Sequence, residues 1–153
     1  MSFELFSLRN IVVLPFVISA AYASEECWRA EGFASLDAFQ QQQRDWSREN
    51  IPLPAPWNIV AAYQIYKTEQ ADVRKSFRND KQMHCYMGCR IAQDVNFVTA
   101  QWAAWKKEER DLNDCNSETH FETLDYQVTV IGAHYAVTAK TKEDCRDPCI
   151  QNF

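Results

Sequence analysis

The sequence predicts an all-α fold in which four to five helices form one bundle stapled by disulfides. Three observations lead to this prediction: apolar residues recur at helical spacing in successive segments, six cysteines are present, and the chain is rich enough in apolar residues for a packed core. Apolar residues make up 46% of the 153 residues and aromatic residues 13%. A composition of this kind is typical of a folded domain and not of a disordered chain.

Residues 1–23 have the three parts of a secretory signal peptide. Arg9 closes a short n-region, an apolar stretch covers residues 11–20, and Ala21-Tyr22-Ala23 supplies the small-x-small cleavage pattern. Because the apolar stretch is shorter than the ~20 residues that span a bilayer, we expect a cleaved signal and no stable membrane span. The mature protein would then be residues 24–153, acting in the periplasm or outside the cell.

The mature chain divides into helical segments and one connector. Ser35 can cap a helix at 35–49, and Pro56 can open a second helix at 57–77, with a candidate break near Thr68. Two further helices are predicted at 81–95 and 97–113, and alternate prolines make residues 51–56 an extended connector between the first two helices.

Residues 121–139 have two interpretations. Tyr126, Val128 and Val130 alternate as in a strand, whereas Leu124, Val128 and Ile131 have helical spacing. A lone strand would have no pairing partner in an otherwise helical chain, so we favour a helix.

The cysteines fall into two C-x3-C pairs and two single residues, which in an exported chain predict three disulfides. On a helix, the two sulfurs of a C-x3-C pair lie one turn apart on the same face. Two such segments lying antiparallel can be bridged twice. We therefore predict that the pair at 85 and 89 bonds the pair at 145 and 149, which leaves Cys27 for Cys115. The cysteines are Cys27, Cys85, Cys89, Cys115, Cys145 and Cys149.

The two C-x3-C pairs together with His84 could instead form a zinc site. Thiolates in an oxidising compartment tend to be consumed by disulfides, so we expect no metal and no cofactor here. His120 and His134 lack the spacing of a paired metal-ligand motif, and we expect them to be ordinary surface or packed histidines.

One set of polar residues could carry chemistry. Asp80 and His84 share a helix face at i, i+4, and Glu108 and Asp111 share another at i, i+3. If the two helices pack antiparallel, His84 comes close to Glu108 or Asp111, and a histidine with a carboxylate is the minimum for general acid–base catalysis. The favoured interpretation is a structural cluster that fixes the helix register. Its predicted members are Asp80, His84, Arg90, Lys107, Glu108, Asp111 and Asp125.

These residues carry a resemblance over about residues 79–135. The series Asp80-Lys81-x2-His84 followed by Asp125-x3-Thr129-x2-Gly132 resembles the core of the serum amyloid A family. Small exported bacterial proteins and the ends of some bacterial toxin chains have a similar series of H-C-x3-C-R, K-E-x2-D and D-x3-N-x2-G. The matching positions here are His84, Cys85, Cys89, Arg90, Lys107, Glu108, Asp111, Asp125, Thr129 and Gly132.

The resemblance implies a helical bundle in which Asp, His and Glu side chains lock helix ends together. Thr129 stands where the family pattern has Asn, and the six cysteines have no counterpart in serum amyloid A. Lipoprotein binding is not implied, because the amphipathic N-terminal helix on which it depends has no match in this chain.

The charge and glycine content exclude two classes of function. A net charge of −5 argues against a sequence-independent nucleic-acid binder, and three isolated glycines cannot form a phosphate-binding loop. We expect an exported, non-catalytic protein that binds a protein partner, as an inhibitor or an immunity protein does. An acidic surface would steer a basic partner. The sequence leaves the oligomeric state open.

Two alternatives belong to other classes. The first is a small hydrolase that uses His84 with Glu108 or Asp111, which requires these residues to line an open pocket. The second is a carrier of apolar ligands, which requires a cavity of at least ~300 Å³ lined by aromatic residues. The candidate lining residues of that cavity are Tyr63, Phe77, Trp102 and Trp105.

Overall fold

The structure is a computed structural model that describes residues 27–116 and 118–153. The signal peptide predicted at 1–23 lies outside these residues. The described residues contain helices and no strand, which confirms the all-α prediction. Besides the five predicted helices, the C-terminal tail forms a sixth, and residues 27–30 form a short helical turn. The helices are α1 (Leu36–Ser47), α2 (Pro56–Ser76), α3 (Asp80–Asp94), α4 (Phe97–Asp114), α5 (Thr123–Tyr135) and α6 (Lys142–Asn152).

The helix starts follow the local chemistry of the sequence. The side chains of Ser35, Asn79 and Asn96 each accept a backbone N–H from the first turn of the helix that follows. Thr141 and Asp144 form a capping box that begins α6. The ambiguous segment at 121–139 forms α5, and α2 continues without a break through the position where one was a candidate.

Two glycines let α3 and α5 pack at backbone distance. A Cβ on Gly132 would lie 1.9 Å from the carbonyl oxygen of Cys85, and a Cβ on Gly88 would lie 2.0 Å from that of Thr129. Any other residue at either position would have to push the two helices apart. This crossing sets Asp125 and Thr129 of α5 beside His84 of α3.

Three disulfides staple the ends of the described chain to the bundle. Cys85 bonds Cys149 and Cys89 bonds Cys145, so both bridges join α6 to α3, and Cys27 bonds Cys115 at the end of α4. This is the pairing that the two C-x3-C spacings predict. The four cysteines of the α3–α6 bridges are fully buried in a core that includes Val73, Tyr86 and Val128.

The apolar residues of α2 divide between two faces. The helix buries Ala62, Glu69 and Val73, whereas Trp57 is 73% exposed and Tyr63 is 60% exposed. The apolar spacing in this segment therefore marks a surface as well as a core face. Among the described helices, none is both long and apolar enough to cross a membrane.

Candidate functional site

A groove of about 940 Å³ lies between α2, α3 and α4 and extends to the loop at 118–122. Its apolar end is lined by Tyr63 and Tyr66 of α2, Met83 and Met87 of α3, and Trp102 of α4. Its polar end is lined by Asp80, His84, Lys107, Glu122 and Asp125. The groove thus brings residues that are far apart in the sequence into one amphipathic surface.

Three acceptor groups converge at the polar end of the groove, and we call Asp80, His84 and Asp125 the acceptor cluster. His84 Nε2 lies 3.6 Å from Asp80 Oδ2 and 3.4 Å from Asp125 Oδ2. Asp125 is buried, His84 is mostly buried, and Asp80 in the first turn of α3 is exposed. All three ligand atoms lie within 4.8 Å of one another. The cluster is therefore anchored on its inner side and open on its outer side.

Thr129 orients the His84 ring. Its hydroxyl donates to the backbone carbonyl of Asp125 at 2.7 Å, and its oxygen lies 3.2 Å from His84 Nδ1. A hydroxyl has one proton, and the shorter contact to the carbonyl assigns that proton to it, which leaves Thr129 Oγ1 to accept from Nδ1–H. The Nε2 of the neutral ring consequently presents its lone pair to the two carboxylates.

Burial also bears on the protonation of His84. Desolvation lowers the pKa of His84 below its ordinary value and outweighs the opposing effect of the Asp125 carboxylate. Lys107 and Lys81 lower this pKa further, while Asp80 raises it. The ring is therefore neutral at pH 7, in the tautomer that Thr129 selects.

Lys81 holds the other oxygen of Asp125. Its ammonium group contacts Asp125 Oδ1 and Glu122 Oε2 and lies 3.7 Å from Asp80 Oδ2. Burial would lower the pKa of Lys81, but hydrogen bonds to the two carboxylates outweigh burial and raise it well above its usual range. The two oxygens of Asp125 thus have separate roles, one toward Lys81 and one toward His84.

Glu108 and Asp111 are not among the residues that line the groove. Both side chains are fully buried, and Lys107 Nζ binds them at 3.0 Å and 2.7 Å. Glu108 also accepts the backbone N–H of Glu122 at 2.9 Å. Burial raises the pKa of Glu108 above its ordinary value, against the opposing effects of that N–H and Lys107. The carboxylates in contact with His84 are those of α3 and α5, and the hydrolase hypothesis stays a prediction.

Arg90 belongs to a different cluster from His84. Its guanidinium binds Glu69 of α2 at 3.1 Å and Asp94 at 2.6 Å. Positions 84 and 90 are six apart, which separates them by about 120° around the helix axis. Tyr86 donates to Glu69 at 2.6 Å, and Lys142 of α6 binds the same carboxylate at 2.9 Å. We call Glu69, Tyr86, Arg90, Asp94 and Lys142 the ion cluster.

Arg90 is the one member of the ion cluster that the sequence predicted as part of a polar cluster, and Glu69, at its centre, was not predicted. Desolvation alone would raise the pKa of Glu69, but hydrogen bonds from Tyr86, Lys142 and Arg90 outweigh desolvation and hold the pKa below its ordinary value. The i, i+4 spacing of Tyr86 and Arg90 marks one face of α3 but does not identify the residue opposite. Thr129 was identified from the sequence only as a motif position. Its role in orienting His84 depends on a contact between two helices, which the sequence does not specify.

The remaining candidates have simple environments. All six cysteines are in disulfides, so the zinc site built from cysteines is excluded. His134 packs against the Phe97 ring, and exposed His120 lies 3.9 Å from Glu31. Trp105 packs in the core beside α1, whereas Trp102 lines the groove.

Comparison with known proteins adds no functional assignment. No protein family, no curated protein and no solved structure matches the chain. The groove, its two ends and the surface beside it are therefore the observations from which function is argued.

Proposed function

We propose that this chain is an exported protein that binds a protein partner through the exposed face of α2 and the apolar end of the groove. The observation that carries the proposal is a concentration of exposed large apolar side chains on the connector and α2, spaced three residues apart along the helix, which we call the aromatic stripe. Its members are Leu53, Trp57, Val60, Tyr63 and Tyr66.

The aromatic stripe is a concentration of exposed apolar surface and not a scatter of single residues. Five of the ten exposed large hydrophobic residues in the described chain fall between positions 53 and 66. Single exposed apolar residues are normal, whereas a contiguous patch marks an interaction surface. Trp and Tyr are also the residues that contribute most to the centres of protein interfaces, because they bury a large area at a low cost in side-chain entropy.

The aromatic stripe continues into the groove. Tyr63 and Tyr66 belong to the stripe and also line the groove, opposite Met83 and Met87. Methionine side chains adapt to irregular partners, so this wall suits an apolar segment of another protein. A partner lying on the stripe could insert such a segment between α2 and α3.

The negative charge of the groove and of the whole chain indicates the charge of the partner. Six carboxylates and four Lys or Arg side chains line the groove, and the whole chain has a net charge of −5. A partner with an excess of basic residues beside its apolar segment would be steered to this surface. We therefore propose a basic protein partner, consistent with an inhibitor or immunity-type role in an extracytoplasmic compartment.

The test compares two surface substitutions of similar chemistry. The double variant Trp57→Ser with Tyr63→Ser removes the centre of the aromatic stripe, and Val137→Ser removes an apolar side chain that is 83% exposed just after α5. Each oxidised protein is used to capture binders from the native extracytoplasmic fraction. A captured protein is then purified and titrated against all three.

We expect the double variant to lose about a hundredfold in affinity, since two central aromatic anchors are removed, and Val137→Ser to bind as the wild type does. Added salt should slow the association because the two surfaces are oppositely charged. Equal binding by the double variant and the wild type, or capture of no stoichiometric protein, would overturn the proposal.

The volume of the groove favours a second candidate, a carrier of apolar small molecules. About 940 Å³ is within the range of small-ligand sites, and Tyr63 and Trp102 line it, although Phe77 and Trp105 do not. A dansyl-labelled fatty acid would test this. Tight equimolar binding that Met87→Glu abolishes and Trp57→Ser alone leaves unchanged would support the carrier, because Trp57 does not line the groove.

A further inference from the structure

We propose that Asp80, His84 and Asp125 bind one first-row divalent transition-metal cation, with Zn²⁺ as the best fit, at the polar end of the groove. This inference is independent of the proposed partner binding. It rests on the geometry of the acceptor cluster, on the hydrogen bond that orients His84, and on the access that the groove provides.

Two of the three distances within the cluster match the spacing of ligands around one ion. Zinc–ligand distances of about 2.1 Å in tetrahedral geometry place neighbouring ligand atoms about 3.4 Å apart. The two distances from His84 Nε2, 3.4 Å to Asp125 Oδ2 and 3.6 Å to Asp80 Oδ2, agree with that separation. Both distances are longer than a normal N–H···O hydrogen bond.

The orientation of His84 is a second, independent observation. Thr129 lies outside the acceptor cluster, and its oxygen accepts from Nδ1–H because its own proton is donated to a backbone carbonyl. In that tautomer the Nε2 lone pair faces one oxygen of each carboxylate, while Lys81 binds the other oxygen of Asp125 and lies 3.7 Å from Asp80 Oδ2. A cation satisfies Nε2 and both of the facing oxygens at once. A histidine that ligates a metal commonly donates its other ring N–H to an oxygen in this way.

The surroundings complete the arrangement. Lys81 binds Asp125 Oδ1 and leaves Oδ2 free, which fixes that carboxylate as outer hydrogen bonds fix metal ligands. Three carboxylates surround the single ammonium group of Lys81, namely those of Asp80, Glu122 and Asp125. The positive charge of Lys107 is paired with two other carboxylates. The local charge is therefore negative and favours a cation.

The ligand set selects the class of ion. One imidazole nitrogen and two carboxylate oxygens suit Zn²⁺ and its first-row neighbours, whereas Mg²⁺ and Ca²⁺ prefer oxygen ligands alone. Three protein ligands leave at least one coordination position, and the cluster lines the groove, so that position can be filled by water or by a group of a bound molecule.

Isothermal titration calorimetry with ZnCl₂ on the oxidised protein tests the proposal. A thiol assay first verifies that no free cysteine contributes. We expect one equivalent of Zn²⁺ to bind the wild type, Mn²⁺ to bind more weakly, and Mg²⁺ not to bind. Asp80→Asn should lower the Zn²⁺ affinity at least tenfold. Thr129→Val should lower it about tenfold, because it removes the group that orients His84.

Matched controls separate the site from general surface binding. Asp72→Asn removes an exposed carboxylate of α2, and His120→Gln removes an exposed histidine, and both should bind as the wild type does. Asp80 is exposed, so its substitution leaves the fold intact, and circular dichroism verifies this. Absence of equimolar binding to the wild type, or unchanged affinity in both Asp80→Asn and His84→Gln, would overturn the proposal.

Discussion

The two polar clusters on different faces of α3 differ in how fully their groups are satisfied. In the ion cluster, the Glu69 carboxylate is shared by Tyr86, Arg90 and Lys142, so its oxygens have donors on every side. In the acceptor cluster, His84 Nε2 lies 3.6 Å and 3.4 Å from two carboxylate oxygens, and Lys81 Nζ lies 3.7 Å from Asp80 Oδ2. A satisfied buried network stabilises and specifies a fold, whereas an excess of acceptors beside a groove is available to a ligand.

The largest expected effect comes from the glycine contact that sets Asp125 and Thr129 of α5 beside His84 in the acceptor cluster. Gly132→Ala places a methyl group against the Cys85 carbonyl, so α3 and α5 must separate. We expect the free energy of unfolding to fall by about 3 kcal/mol, at the upper end of overpacking effects. Urea unfolding measures this, with Gln127→Ala on the exposed face of the same helix as the control. An effect as small as the control's would show that the helices can move apart freely.

A somewhat smaller effect is expected in the ion cluster. Glu69→Gln leaves Arg90 buried with Asp94 as its remaining ionic partner, and removal of one member of a buried pair is destabilising. Because Arg90 keeps Asp94, we expect a loss of about 2 kcal/mol at pH 7, somewhat below the range for a fully orphaned charge. Asp72→Asn, at an exposed position of the same helix, should change the stability by no more than about 0.5 kcal/mol.

The same variant makes a pH prediction. The folded-state pKa of Glu69 lies below 4.5, so its contribution to stability is present above that value and is lost as the pH falls through the folded-state pKa. The stability difference between wild type and Glu69→Gln should therefore shrink below about pH 4.5. A difference that stays constant down to pH 2 would contradict the assigned direction of the shift.

The smallest effect is expected in the acceptor cluster of the metal-free protein. Asp80→Asn removes a favourable interaction with the start of α3, of about 0.3–1 kcal/mol, but also relieves repulsion from Asp125. We expect a net change within about 0.5 kcal/mol in the presence of a chelator, measured by urea unfolding. The difference between the stability changes of Asp80→Asn and Glu69→Gln tests directly whether the two clusters differ in structural role. A loss as large as that of Glu69→Gln would mean that the two clusters have the same structural role.

The positions of the helices could be predicted to within a few residues, because their signals are local. Ser35, Asn79 and Pro56 act within the turn that they begin, and apolar spacing acts within one helix. The cysteine pairing could also be predicted, since C-x3-C spacing on two helices restricts which sulfurs can meet. Membership of the polar cluster was predicted less well. Arg90 lies in the ion cluster, and Glu108 and Asp111 bind Lys107.

The sequence by itself determined the helical class, most of the helix starts and the grouping of four cysteines into two C-x3-C pairs, because each depends on residues within one or two turns of a helix. Only the tertiary structure decided which carboxylates meet His84, which side of α2 is exposed, and where the groove lies. These features depend on how far each helix is rotated about its axis and how closely it crosses its neighbour. Here the contacts at Gly88 and Gly132 set that crossing, and the sequence pattern marks the two glycines without stating what they touch.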